Sequence, residues 1–224
     1  MNIEIFENVD IEIPINYTNV FWKFLNNRTA FTTDASKKIL DTYLKIITIN
    51  KTLIFKRTLS DKLVVEEDAN GSILLLSPTK PEEIKNNKEN STFILAKNMV
   101  FVEFSYPGDC NDSVLGLPAK IVVDILSSKI PEKAVETKNN DIFINNNKIA
   151  GIDTNKNNTG IHDFLAINFY YDKVFFSNYL TEQDVNKANI SGIGDEIIGY
   201  TPSQFITDFV EKFKYEFNLL HPNE

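Results

Sequence analysis

Residues 137–152 read TKNNDIFINNNKIAGI, and this stretch decides the fold. An asparagine and Asp141 precede a short apolar run, three asparagines follow, and a second apolar run begins after Lys148. Two β-prone runs separated by turn residues predict a β-hairpin, because asparagine tolerates the positive φ of a tight turn. Gly151 has no Cβ, so another backbone or a ligand could approach the return strand closely. The hairpin would hold a carboxylate and an ammonium group in fixed relation, where a phosphate or carboxylate ligand could bind.

Strand-like patterns also occur in much of the rest of the chain. Near the N-terminus, apolar residues alternate with polar and acidic ones over residues 2–15, which is typical of a strand with one buried face. Short apolar runs predict further strands at residues 53–55, 63–65, 73–76, 93–106 and 164–171.

Three stretches have apolar residues at the spacing of a helix face. The first would follow a cap at residues 33–34 and carry its stripe over 39–47. The second would be capped at 112–113 and carry its stripe over 117–126. The third begins with the Thr-Pro-Ser-Gln capping box at 201–204 and has a phenylalanine at every fourth position. We expect those phenylalanines to pack in the core.

The mixed order of strands and helices predicts an α+β fold, with helices covering a largely antiparallel mixed sheet. With 224 residues, of which 42% are hydrophobic, the chain can bury one substantial core. We expect one continuous globular unit.

The charge balance narrows the possible partners. The net charge is -8, and only Arg28 and Arg57 supply guanidinium groups, which argues against nucleic acid and anionic membrane surfaces as partners. A lone Cys110 excludes an internal disulfide framework and a cysteine-based zinc site. The first ten residues are acidic where a signal peptide would be basic, so we expect a cytoplasmic protein.

The hairpin resembles the biotin/lipoate protein ligase family, whose members share Asn-Asp, an apolar strand, a polar turn and Lys-Ile-Ala/Ser-Gly. Here NDIFINNNKIAGI follows that pattern. The resemblance extends over residues 73–220, since KNMVF at 97–101 is similar to the family's Gly-Asn-Leu strand and AINF at 166–169 to its Gly-Ile-Asn strand. It implies a ligase-like catalytic domain at 71–224, with 1–70 as an N-terminal extension packed on it or leading into it.

The resemblance also implies a reaction. Members of the family activate biotin or lipoate with ATP and Mg²⁺ as an acyl-adenylate, and then pass the acyl group to a lysine of a carrier domain. By the match, Lys148 would be the catalytic residue that holds the acid's carboxylate and the adenylate phosphate. Asn140 and Asp141 would orient the nucleotide or the metal, with Mg²⁺ at Asp141. Gly151 and Ala166 would shape the pocket.

Asn168 would line the same pocket, because it lies in the strand that resembles the Gly-Ile-Asn strand.

One segment departs from the family pattern. Residues 78–90, PTKPEEIKNNKEN, take the place of the family's adenylate loop and contain neither glycine nor arginine. Two alternatives therefore stay open: a non-catalytic module that binds the acid, the adenylate or the carrier, and an acyl transferase that needs no nucleotide. Pyrophosphate release would separate the ligase from both.

Three further residues could carry chemistry, but each has a simpler interpretation. His162 would be a loop histidine at the start of a strand, His221 a solvated residue near the C-terminus, and Cys110 a thiol in a turn.

Overall fold

The computed structural model describes residues 1–9, 42–49, 53–56, 64–68, 71–75, 92–95, 99–107, 112–157, 160–171 and 189–221. The segment at 78–90, the helix cap at 33–34 and Cys110 lie outside these ranges, so what we expect of them stays a prediction.

A seven-stranded sheet organises the described chain, in the order β1-β2-β7-β11-β10-β9-β8. Its strands are β1 (Asn2–Val9), β2 (Tyr43–Ile49), β7 (Val100–Pro107), β8 (Val135–Lys138), β9 (Asp141–Ile144), β10 (Asn147–Asn157) and β11 (Gly160–Ile167). β1 and β2 are parallel, and the other neighbouring pairs in this sheet are antiparallel. This arrangement, with the helices described below, confirms the predicted α+β fold.

Within the described ranges, two short strand pairs lie outside that sheet. β3 (Leu53–Lys56) pairs with β6 (Thr92–Leu95), and β4 (Val64–Asp68) pairs with β5 (Gly71–Leu75), both antiparallel. They confirm that the short apolar runs at 53–55, 63–65, 73–76 and the first part of 93–106 form strands.

The helix predicted over residues 39–47 is wrong where the structure describes it, because Tyr43–Ile49 is strand β2. β2 is an inner strand between β1 and β7, and it is apolar on both faces: Leu44 and Ile46 are buried on one side and Ile47 on the other. Apolar residues on both faces of a strand can imitate the spacing of a helical stripe.

Helices cover one face of the sheet: α1 (Leu117–Lys129), the short α2 (Ile193–Glu196) and α3 (Pro202–Leu220). The capping box of α3 is confirmed, since the Thr201 hydroxyl accepts from the Gln204 N–H and the Gln204 side chain accepts from the Thr201 N–H. The phenylalanines of α3 are buried as predicted, and Phe213 lies 5.2 Å from the Phe104 ring of β7. None of the helices in the described residues is long and apolar enough to cross a membrane.

Helix α1 begins later than predicted. A short 3₁₀ turn occupies Asp112–Val114, and the helix starts after Gly116, whose φ is 70°. No side chain of its own segment caps it. Instead, the N–H of Gly116, the residue before the helix, donates to Asp163 Oδ2 of β11 at 2.9 Å, so a distant carboxylate satisfies a backbone donor at the start of α1.

Strand β11 also differs from its prediction, since it covers Gly160–Ile167 and not residues 164–171. Past Ile167 the chain pairs with the segment around α2. The Ile193 N–H donates to the Asn168 carbonyl at 3.0 Å, and the Gly194 N–H donates to the Phe169 carbonyl at 2.8 Å.

Candidate functional site

The predicted hairpin is confirmed, and it belongs to a three-stranded meander of β8, β9 and β10. Each connection is a two-residue turn, and all four turn residues have positive φ: Asn139 (52°), Asn140 (62°), Asn145 (47°) and Asn146 (69°). Two consecutive positive φ values define the turn that matches the twist of a hairpin, and asparagine adopts them at low cost. The sequence analysis did not predict the first turn or β8, although the Asn139-Asn140 pair indicates a tight turn in the same way as the asparagines after β9.

A β-bulge in β10 sets the direction of Lys148. Lys148 lies opposite Phe143 and Ala150 lies opposite Ile142, so β10 contains one extra residue. Ile149 and Ala150 are consequently both buried on the helix-covered side. Strict alternation would have placed Lys148 on the face of Ala150. The bulge moves it to the opposite face, together with Gly151.

On the face opposite the helices, Lys148 forms an ion pair with Asp141, with Nζ and Oδ1 2.7 Å apart. The two side chains keep 33% and 25% of their surface exposed. A partly exposed pair contributes little to stability. Because both groups remain accessible to solvent, an anionic ligand could take the place of Asp141 beside the ammonium group.

Backbone hydrogen bonds fix Lys148 on the side away from β9. Its N–H donates to the Asn189 carbonyl at 2.6 Å, and its carbonyl accepts from the Ser191 N–H at 3.0 Å. Ile190 bridges to it in parallel. A lysine held on both sides is positioned in advance for a ligand.

On the face of the ion pair, a row of aligned residues with small side chains at its centre, which we call the trough, leads across the sheet. Neighbouring strands align the row Asp141, Gly151, Ala166 and Phe101. The two central residues, Gly151 and Ala166, have no side chain or a single methyl group, so less side-chain volume projects from the sheet there than at Asp141 and Phe101. A Cβ added at Gly151 would meet only Asp141 Oδ1, at 3.7 Å, so the neighbouring atoms leave ordinary space there.

Asn168 lies two residues beyond Ala166 in the chain, next to the bulge. Its N–H donates to the Ile149 carbonyl at 2.7 Å, which ties the chain after β11 to the bulge. The structure thus brings Lys148, Asp141, Gly151 and Ala166 to one face, with Asn168 next to them.

The structure places Asn140 differently. Asn140 lines a cleft of about 390 Å³ together with Gly116 and Lys120 of the α1 region. Its carbonyl accepts from the Ile152 N–H at 2.7 Å. The backbone carbonyl of Asn140 therefore stabilises the turn, and Asn140 lies on the helix side of the sheet. Its neighbour Asp141 lies on the trough side.

A buried polar cluster on the trough face was missed from the sequence. The Tyr43 hydroxyl donates to Glu103 Oε1 at 2.6 Å, and Ser105 Oγ lies 2.7 Å from His162 Nδ1. Burial raises the pKa of Glu103 and lowers that of His162. His162 lies within β11, so its prediction as a loop residue is wrong. The signal was present in VFVEFSYP, where Glu and Ser alternate with apolar residues.

His221 is also not solvated as predicted. Its ring lies 4.7 Å from that of Phe217 and 5.1 Å from that of Tyr106, so it packs at the end of α3.

Among the residues described, no group of three or more histidine, cysteine or acidic side chains could hold a metal ion. Asp141 offers a single carboxylate. Mg²⁺ is commonly held by one or two carboxylates together with substrate phosphates and water, so this donor fits Mg²⁺ that arrives with a nucleotide.

No protein-family model matches the chain, and no curated protein matches it either. Solved structures do match. P. falciparum LipL1 in complex with lipoate has a TM-score of 0.57 and 13% identity, covering 98% of this chain and 61% of LipL1. A T. acidophilum protein with bound lipoic acid has a TM-score of 0.60 and 11% identity, covering 97% of this chain and 87% of that one.

A lipoate-protein ligase A bound with ATP has a TM-score of 0.53 and 9% identity, covering 95% of this chain and 85% of that one. At these identities the likeness concerns the fold. The chain has the fold of the lipoate-protein ligases, which confirms the fold implied by the resemblance, and it spans less than two thirds of the length of LipL1.

Proposed function

We propose that the protein is an ATP-dependent ligase that attaches lipoate, biotin or a similar acid to a carrier-domain lysine through an acyl-adenylate. The observation that carries this proposal is the placement of Lys148. The bulge turns it onto the face opposite the helices, where it is partly exposed beside Asp141, in the hairpin that resembles the ligase hairpin. Structures with this fold contain lipoate and ATP, which supports the same two substrates here.

In the proposed reaction, a carboxylate oxygen of the acid attacks the α-phosphorus of ATP and pyrophosphate leaves. Negative charge builds up on the phosphoryl oxygens between two anionic reactants. The fixed ammonium group of Lys148 would lie between carboxylate and phosphate and stabilise that charge as it develops. Lys148 would leave Asp141 to do so, at little cost because their ion pair is partly exposed.

Asp141, released from Lys148, would hold Mg²⁺ through its carboxylate. Bound there, the ion would neutralise phosphate charge. Asn168 would adjoin the acid, and Gly151 and Ala166 would leave room for it along the trough. The carrier lysine would then attack the acyl carbon and release AMP. We propose that this occurs in the cytoplasm, where ATP is available.

The proposal is tested by pyrophosphate release. Purified protein with ATP and Mg²⁺ should release pyrophosphate only when a suitable acid is added, with biotin, lipoate and octanoate as the acids to compare. Release that does not depend on an acid, or no release with any acid, would contradict the ligase.

A non-catalytic binding module is the second candidate, because residues 78–90 contain no glycine or arginine with which to cradle a phosphate. In that case an acid would raise the melting temperature without pyrophosphate release. Acyl transfer from a thioester in the absence of ATP would instead identify the transferase alternative.

A further inference from the structure

The chain at residues 189–196, which we call the α2 segment, holds Lys148 on the side away from β9. The carbonyl of Asn189 and the N–H of Ser191 bond to the lysine backbone, as described above. The segment ends in α2, a helix of four residues, and helices this short have little stability of their own. The position of the α2 segment therefore depends on its contacts with the rest of the fold.

One set of contacts holds the α2 segment against the chain after β11. The Gly194 N–H donates to the Phe169 carbonyl at 2.8 Å. Asp195 Oδ2 accepts from the Tyr171 N–H at 2.8 Å. A Cβ added at Gly194 would collide with the ring of Tyr170, so the two pieces of chain pack closely. These contacts fix the segment on one side but do not connect it to the hairpin.

The connection to the hairpin is made by Glu196, the last residue of α2. Its Oε2 accepts from Lys133 Nζ at 2.9 Å, and its Oε1 accepts from Asn147 Nδ2 at 3.1 Å. Lys133 Nζ also donates to the Glu196 carbonyl at 3.0 Å. The Glu196 side chain is 13% exposed, so water has little access to these bonds. Both carboxylate oxygens of one residue are thus bonded to different parts of the chain.

The two partners of this carboxylate lie at the turn between β9 and β10. Asn147 is the first residue of β10 and immediately precedes Lys148. Lys133 immediately precedes Ala134, whose N–H donates to Asn145 Oδ1 at 2.9 Å and whose carbonyl accepts from the Asn145 N–H at 2.9 Å. The carboxylate therefore joins the α2 segment to the chain on both sides of that turn.

Glu196 is charged at neutral pH. Burial raises the pKa of its carboxyl, but the hydrogen bond and the charge of Lys133, with the bond from Asn147, lower that pKa by more, so it lies below its ordinary value. A carboxylate only accepts, which suits two donors. An amide of the same shape has one oxygen, so its NH₂ group would have to face one of them.

We propose that Glu196 is a positioning residue for Lys148, and that it acts by holding the α2 segment on the hairpin. This rests on the proposed function only in assigning Lys148 to the developing phosphate charge. When Lys148 leaves Asp141 for a ligand, the ion pair no longer restrains the lysine. The backbone bonds to the α2 segment then keep its direction, and Glu196 keeps those bonds formed without contacting the substrate.

The variant Glu196→Gln tests this role in the full chain. With ATP, Mg²⁺ and the acid, its kcat for pyrophosphate release should fall about 10- to 100-fold, because a small displacement of a charged group has an effect of that size. The KM for the acid should change by less than about threefold, because the lost interaction belongs to the transition state.

A second substitution should reverse this loss. Asn147→Asp, added to Glu196→Gln, places an acceptor opposite the glutamine NH₂ group and leaves the glutamine oxygen for Lys133. The double variant should recover kcat to within about threefold of the wild type. Asn147→Asp alone places two carboxylates together and should lower kcat about tenfold.

Hydrogen exchange measures the same connection without any reaction. In Glu196→Gln the amides of Lys148 and Ser191, which form the two backbone bonds, should exchange at least about tenfold faster than in the wild type. The Ile152 amide, which bonds to the Asn140 carbonyl farther along β10, should keep its rate.

Glu216→Gln is the matched control. The Glu216 side chain is 17% exposed and its carboxylate also bonds to two lysines, Lys120 and Lys212, but on the helices. The control should change neither kcat nor the exchange of the Lys148 amide. If Glu196→Gln does not fold, Lys133→Met breaks the connection from the other side and should lower kcat and speed exchange in the same way.

Unchanged exchange of the Lys148 amide in a folded variant, no recovery in a folded double variant, or an equal effect of the control would each overturn the proposal. Faster exchange in Glu196→Gln, with no pyrophosphate release by the wild type, would retain the connection between Glu196 and Lys148 and reject the ligase. Acid-dependent pyrophosphate release that is the same in the wild type and in Glu196→Gln would do the reverse.

Discussion

Lys148 is positioned by its backbone and not by its charge. The bulge and the bonds to Asn189 and Ser191 set its direction, and the ion pair with Asp141 is partly exposed. Lys148→Ala should therefore lower acid-dependent pyrophosphate release at least about 100-fold, because one preorganised charge at a developing anion has an effect of that size. The free energy of unfolding should change by less than about 0.5 kcal/mol.

The matched control is Lys138→Ala, an exposed lysine of β8 in the same meander. It should leave both quantities unchanged. If the Lys148 variant kept wild-type activity, or if the control lost as much, the role proposed for Lys148 would be wrong.

Asp163 should make stability depend on pH. It is 1% exposed, and burial raises the pKa of its carboxyl from 3.8 to about 6, against hydrogen bonds from Thr154 and Gly116 that lower it. Between these two values the folded chain holds a proton that the unfolded chain has released. The contribution of Asp163 to stability therefore falls as pH rises through this window, by about 3 kcal/mol.

Asp163→Asn keeps an oxygen for the Gly116 N–H but cannot ionise. Urea unfolding of both proteins at several pH values should show the variant gaining stability relative to the wild type between pH 4 and pH 6.5, with no further gain above that. A constant difference across this range would mean that the carboxyl of folded Asp163 titrates normally.

At the level of single elements, the hairpin depends on its turn. Asn146 is exposed and has a φ of 69°, so its substitution changes backbone strain and little else. Asn146→Val should cost about 1–2 kcal/mol of folding free energy, because a β-branched residue resists the left-handed conformation. Asn146→Gly should be neutral or slightly stabilising. Denaturant unfolding of the two variants provides the comparison, and equal stabilities would argue against a strained turn.

The sequence predicts well those elements whose structure is determined by residues close together in the chain. The turn asparagines specify the hairpin, and the capping box with its phenylalanine stripe specifies α3. The bulge has no such local cause. In NKIAGI, strict alternation places Lys148 with Ala150, and only the burial of both Ile149 and Ala150 against the helices makes the extra residue favourable. The start of α1 has a similar explanation, since the carboxylate that accepts from the Gly116 N–H there belongs to Asp163, a residue of a distant strand.

At the level of the whole molecule, strand order decides which side chains meet. β2 and β11 are separated by more than one hundred residues in the chain, yet both pair with β7. Tyr43, Ser105 and His162 become neighbours only through those two registers. Periodicity predicts that each strand has two faces, but it cannot predict which residues of distant strands lie opposite each other. For this reason the hairpin residues were identified from the sequence and the buried polar cluster around Ser105 was not.

β7 connects the two sides of the molecule, because one face packs against α3 and the other carries the buried polar side chains of Glu103 and Ser105. Phe213 is completely buried and packs its ring against Phe104 of β7. Phe213→Ala should cost about 3–5 kcal/mol, a large share of the 5–15 kcal/mol typical of a domain. Tyr215→Ala, which changes a side chain that is 62% exposed on the same helix, is the control and should cost less than about 1 kcal/mol.

If the sheet and α3 unfold as one unit, the loss caused by Phe213→Ala should also appear in the hairpin. Native-state hydrogen exchange should then show the most protected amides of β9 and β10 losing the same free energy as those of α3. Weaker protection in α3 with unchanged protection in the hairpin would instead show that the helix opens separately. In that case the loss of the helix would leave Lys148 in place, and Phe213→Ala should retain the wild-type dependence of pyrophosphate release on the acid.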